Sequence, residues 1–119
     1  MADRKPFISL YGKPNQIHVS KSVVKLLGNP SHITIYKNDS MSSVAFGVCE
    51  AKNVMSFRVP PEVPRRNFII SSKQFLYDLM RLNKLDFEKT YRIEGRFLEE
   101  KNMVAFDICN AVDITRNNE

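Results

Sequence analysis

The chain has little of what most enzyme and metal sites require. Its 119 residues include four glycines, all isolated, so the glycine-rich loops that cradle phosphates are absent. It has two histidines, His18 and His32, and no cysteine or acidic pair stands at ligand spacing from either, so no metal centre is expected. No nucleophile motif joins Ser, Cys, His and Asp, and Glu99-Glu100 reads as a solvated pair in a turn. The chain is therefore read as non-enzymatic and without a cofactor. No apolar run approaches the roughly 20 residues that span a bilayer. No apolar segment follows Met1-Ala2-Asp3-Arg4-Lys5, so a secretory signal is not expected and the location is read as cytoplasmic. The only two cysteines, Cys49 and Cys109, are expected to be small buried thiols in a reducing compartment.

What is present supports a packed core. A hydrophobic fraction of 43% over this length fits one domain, residues 1–119, with flexible ends at 1–5 and 115–119. The formal charge is +5, unevenly placed. Residues 1–60 hold eight Lys/Arg against three Asp/Glu, whereas residues 61–119 hold ten of each. A one-sided basic surplus points to a polyanion-binding face.

The most informative stretch occurs twice. Val44-Ala45-Phe46-Gly47-Val48-Cys49 returns as Val104-Ala105-Phe106-Asp107-Ile108-Cys109, with four of six residues identical. Similar order surrounds both copies, as in an internal repeat. In the first, Phe7–Tyr11 and Gln16–Val19 read as strands around a Gly-Lys-Pro-Asn turn. Ser20 reads as a helix cap, its hydroxyl accepting from a first-turn amide. Val23, Val24, Leu26 and Leu27 form the helix's apolar side, and Gly28 with Pro30 ends it. Ile33–Tyr36 and Val44–Cys49 are strands, with Val44, Phe46 and Val48 on one face. The small Ala45 and Gly47 opposite them imply a close approach.

In the second copy, Met55–Val59 and Asn67–Ile70 are strands around a stiff Pro60–Arg66 connection. Ser71 or Ser72 caps a helix with Phe75, Leu76, Leu79, Met80 and Leu82 on its apolar side. Thr90–Phe97 alternates, with Tyr91, Ile93 and Phe97 inward, and Glu99–Asn102 turns the chain into Met103–Cys109. The helices align at an offset of 52 and the closing strands at 60, so the second copy carries eight extra residues between them. The expected fold is mainly β with two short α-helices: two ββαββ units, about 7–49 and 55–109, in one pseudo-symmetric β-barrel-like domain.

Each unit resembles the swapped-hairpin module of the AbrB/MazE/SpoVT class. The resemblance rests on Gln16-Ile17-His18-Val19-Ser20, the helix through Leu26-Leu27-Gly28, and Ile33–Tyr36 followed by Val44-Ala45-Phe46. It implies that two modules exchange hairpins, here within one chain, giving a monomeric pseudo-dimer or a homodimer. It also implies a DNA-binding regulator of the antitoxin type, with double-stranded DNA as partner. The positions matching the family's DNA face are Lys13, Lys21, Arg58, Arg65, Arg66 and Lys73, with Lys25 on the polar side of the first helix. Two family elements differ. The Gly-Arg before the second strand is Asn15-Gln16, and the Ile-Pro entering the helix is Val19-Ser20 in one unit and Ile70-Ser71 in the other. Those losses favour the alternative reading, a phage or mobile-element inhibitor, anti-CRISPR-like, that binds a host nuclease or other protein complex.

Overall fold

A computed structural model of the chain describes residues 5–13, 15–49, 56–59 and 68–115. Eleven elements follow in order: β1 (Phe7–Tyr11), β2 (Gln16–Val19), α1 (Lys21–Leu26), β3 (His32–Lys37), β4 (Ser43–Val48), β5 (Ser56–Arg58), β6 (Phe68–Ile70), α2 (Lys73–Leu82), β7 (Thr90–Leu98), β8 (Met103–Asp107) and β9 (Val112–Asp113). A single 3-10 turn, Ile108–Asn110, joins β8 to β9. The strands form one antiparallel sheet in the order β5-β3-β4-β8-β7-β1-β2-β6, with β9 added to β7. The sheet curls into a nearly closed barrel.

Strand alternation puts one face of each strand into the barrel. Ile8, Leu10, Ile17, Val19, Ile33, Val44, Phe46, Ile93, Val104 and Phe106 are almost fully buried there. Val23, Val24 and Leu27 of the α1 segment, and Leu76, Leu79 and Met80 of α2, complete the core. At its centre the Phe46 and Phe106 rings meet edge to face, 5.6 Å apart at 79°. Truncating either ring would cost about 3–5 kcal/mol, a large share of the total stability of a domain this size.

The two echoed stretches are neighbours. β4 and β8 pair with Ala45 opposite Ala105, Val44 opposite Phe106 and Phe46 opposite Val104. On the outer face, the space above Gly47 is taken by the Tyr36 ring, which would lie 3.1 Å from any Cβ there, and by Met103. That is the close approach the small residues imply.

β7 has three partners, with β9 paired at Tyr91 and Arg92. Thr90–Glu94 pair with β1, and Gly95–Leu98 pair with β8. The hand-over falls at Gly95. A Cβ at Gly95 would overlap the Ala105 carbonyl oxygen and come within 2.6 Å of the Phe106 ring. Only glycine lets β7 lie this close to β8 where its pairing passes from β1 to β8.

Several expectations are corrected. Ser20 stands at the N-cap of α1 but makes no side-chain cap bond. Its hydroxyl instead accepts from the Phe7 amide at 3.0 Å and bonds the Ser22 hydroxyl at 2.8 Å, so it ties the helix start to β1. Cys109 is exposed, because the chain leaves the strand at Ile108 and turns; Cys49 is half-buried, and neither is in a disulfide. They follow the C-terminal ends of antiparallel neighbours, so they lie at opposite ends of the β4–β8 pair. Val48 is 43% exposed, since the β8 side of the ladder has already turned away at Asn102. The Lys5 carbonyl accepts from the Ser22 hydroxyl, and the Thr115 hydroxyl accepts from the Thr90 amide at 2.7 Å. The Pro60–Arg66 connection lies outside the described residues.

Gly95→Ala is expected to destabilise the fold by on the order of 3 kcal/mol, because the ladder and the Phe106 ring leave no room to shift. Denaturant unfolding monitored by circular dichroism checks this; an unchanged midpoint would contradict the close-approach account.

Candidate nucleic-acid interface

Ser72 stands at the N-cap of α2 and, contrary to expectation, makes no side-chain cap bond. At its C-terminus the Leu85 amide donates to the Met80 carbonyl at 2.9 Å and the Lys84 amide to the Arg81 carbonyl at 3.1 Å. Lys84 sits in the left-handed region at φ 58, the conformation this end motif requires. α1 ends in the same way, with Gly28 at φ 85 and the Asn29 amide on the Val24 carbonyl.

Leu76, Leu79 and Met80 turn inward, while Leu82, expected beside them, is 42% exposed; Lys73, Tyr77 and Arg81 run along an exposed stripe of α2, and Lys84 follows just past its end. These positions are spaced as neighbours along one helical face. Tyr77 is 47% exposed. Its ring stacks on Phe87, 5.3 Å away at 19°, and the Arg81 guanidinium carbon lies 5.8 Å from its centroid. An Arg81 Nη is also 3.8 Å from an Asp78 carboxylate oxygen, which accepts from the Gln74 side-chain amide at 2.9 Å. Gln74 thus donates to the Asp78 carboxylate, and Arg81 is an ion-pair neighbour of the same group.

The β1–β2 turn lies beside this helix. Ile17 opposes Ile70, so the start of β2 adjoins the end of β6, from which α2 departs. Gly12 rests directly against the Phe87 backbone, where a Cβ would overlap the carbonyl oxygen. Lys13 follows, with its Nζ 3.0 Å from a Glu88 carboxylate oxygen. Both side chains are largely exposed, so this pair adds little stability.

The residues nominated from sequence therefore separate. Lys13 and Lys73 come to one side of the molecule. Lys21 and Lys25 lie on α1, at the opposite end of the β2–β6 pair, since Val19 there opposes Phe68. The Lys5 backbone adjoins that second group through Ser22. Arg58 is exposed on β5, opposite His32, on the strand at the other end of the sheet order from β6. Arg65 and Arg66 lie outside the described residues. Arg81 and Lys84 are additions to the residues nominated from sequence, and Tyr77, whose ring could stack on a base, stands between Lys73 and Arg81. The available signal was the polar complement of the apolar stripe already recognised on the helix.

Two other surfaces differ in kind. The described residues of β1, β2 and β6 include no Lys or Arg; their outer face holds Tyr11 and His18, rings 4.3 Å apart, with Gln16 3.1 Å from His18 Nε2 and Ile69 46% exposed beside them. At the β7 hand-over a cleft of about 530 Å³ is lined by Lys5, Arg92, Arg96, Glu94 and Asp107, among others. Charges there alternate: Lys5 Nζ is 3.9 Å from Glu94, and Arg92 lies 4.2 Å over the Phe7 ring. Among the described residues no three of His, Cys, Asp and Glu gather as a metal group would require, and no helix is long and apolar enough to cross a membrane. No protein-family model, curated protein or solved structure matches the chain.

Burial holds the His18 imidazole below its usual value near 6.5. The unfolded chain therefore takes up the proton first, and the neutral ring's contribution to stability fades as pH falls from about 6.5 toward the lowered folded value. His18→Gln is expected to flatten that part of the stability profile. Denaturant midpoints between pH 7.5 and 5 for both proteins check it; parallel profiles would count against this role for His18.

Proposed function

We propose that the chain is a non-enzymatic DNA-binding regulator, made of two fused swapped-hairpin modules of the AbrB type that together act as a pseudo-dimer. The observation that carries the architecture is strand register. Ile35–Phe46, Tyr36–Ala45 and Lys37–Val44 between β3 and β4 recur as Gly95–Phe106, Arg96–Ala105 and Phe97–Val104 between β7 and β8, each at an offset of 60. Likewise Ile33 opposes Phe57 of β5, while Ile93 opposes Ile8 of β1. The β4–β8 pair maps onto itself about Ala45 and Ala105. The β2–β6 pair does the same at the helices' offset of 52, exchanging Ile17–Ile70 with His18–Ile69. Such exchange is what a local two-fold axis between duplicated units produces.

Under the same relation Lys21 corresponds to Lys73, the first residue of each helix. A duplex has its own approximate two-fold symmetry, so two related cationic helix faces fit a pair of half-sites. Phosphate contacts from Lys13, Lys73 and Lys84 on one side, and Lys21 and Lys25 on the other, would supply salt-dependent affinity.

The cation-poor outer face of β1, β2 and β6, with Ile69 exposed beside the Tyr11–His18 pair, favours one second reading. A protein-binding inhibitor carried by a mobile element would use such a surface against a host complex.

Duplex binding titrated against salt separates the two readings. Affinity is expected to fall linearly in log–log form, and Lys73→Ala to reduce the slope by about 0.9. A wild-type chain with no salt-sensitive affinity for duplex DNA would overturn the DNA-binding reading and leave the inhibitor reading standing.

A further inference from the structure

We infer that α2 is a base-reading helix: its exposed side enters the major groove, Arg81 and Gln74 read base edges, and Lys73 and Lys84 contact phosphates on either side. This rests on the DNA-binding reading above and adds the element and side chains that read sequence.

The geometry supports it at three levels. α2 has 10 residues, about 15 Å of helix, and the major groove, about 12 Å wide, accepts such a rod. Along the exposed side the order is cation, amide, aromatic, guanidinium, cation: Lys73, Gln74, Tyr77, Arg81, Lys84. Lys73 opens the helix and Lys84 stands two residues past its last, so a cation lies near each end of the segment. Between them lie the two side-chain types that make bidentate base contacts, Arg to guanine and Gln to adenine.

Preorganisation distinguishes this face from an ordinary solvated one. The Arg81 guanidinium is placed by the Asp78 carboxylate and by the Tyr77 ring, and that ring is itself backed by Phe87. Gln74 is placed by the same carboxylate. A planar fork with an ion-pair neighbour and a ring neighbour has fewer orientations to lose on pairing with a base edge than an arginine with neither.

The acids facing this surface are accounted for. Asp78 is engaged by Gln74 and Arg81, and Glu88 lies 3.0 Å from Lys13. Asp86 has its carboxylate on the Glu88 amide at 2.9 Å, in the loop behind the helix. The sheet face of β1, β2 and β6 offers no such cation–amide–guanidinium series among its described residues.

The test is selection of bound duplexes from a randomised DNA library by the full chain. Affinities are then measured for the selected and a scrambled duplex, using wild type, Arg81→Lys, Gln74→Ala and Lys73→Ala. Wild type is expected to select a defined sequence. Arg81→Lys keeps the charge and loses the fork, so it should lower the preference for that sequence roughly tenfold while affinity for the scrambled duplex holds. Lys73→Ala should weaken both duplexes alike. Three results overturn the inference. If wild type binds duplexes without preference, or Arg81→Lys retains the preference, base reading by α2 is wrong and DNA binding still stands. If wild type binds no duplex, both readings fail. Thermal melts of each variant confirm that the fold is kept, and Gln74→Ala is expected to give a second loss of preference.

Discussion

The β4–β8 ladder is the contact on which the structure depends. It is where β5, β3 and β4 join the rest of the sheet, and it places Phe46 against Phe106 at the centre of the core. Its two alanines keep the outer face shallow, while Val44, Phe46, Val104 and Phe106 bury on the inner one. β7 must then bend from β8 to β1 within one strand, and Gly95 makes that possible. Neither half of the sheet buries its apolar side alone, so the parts form together or not at all.

Much of this fold is legible in the residues because the patterns are local. Alternation in β1, β2, β3 and β7, the apolar stripe of α2 and the Gly28 terminus each express a steric rule within a few positions. The repeated hexapeptide marks two strands, as far as Val48 in the first and Asp107 in the second, yet nothing in it says that they face each other. Pairing is a long-range choice fixed by which faces can be buried together. Ser20 shows the limit at a single residue. Its type fits a cap, but β1 lies close enough for the Phe7 amide to take the hydroxyl. β9 was not visible because two residues, Val112 and Asp113, carry no periodicity of their own.

The candidate site was legible only in part. Lys13 and Lys73 are distant in sequence and meet because the Ile17–Ile70 register brings the β1–β2 turn to the start of α2. Arg81 gains its significance from Asp78, Tyr77 and Phe87 together, and Phe87 reaches the helix from the following loop. The charge asymmetry of the chain pointed toward its first half. In three dimensions the more organised cations belong to the second, where acids in sequence are drawn into pairs with Lys13 and Arg81 and the helix face keeps its basic series. Net charge along a chain is a poor guide to charge over a surface, since folding pairs residues across the sequence.

If the cationic side of α2 is the surface that meets DNA, its backbone amides must sense the duplex directly. Titration of the isotope-labelled chain with duplex DNA, followed by amide chemical shifts, reads this residue by residue. The account predicts shifts concentrated at residues 73–84 and at Gly12 and Lys13, with a second group at residues 21–25 and little change at His18 and Ile69. Shifts centred on that β1–β2–β6 face instead, or none at saturating duplex, would contradict it.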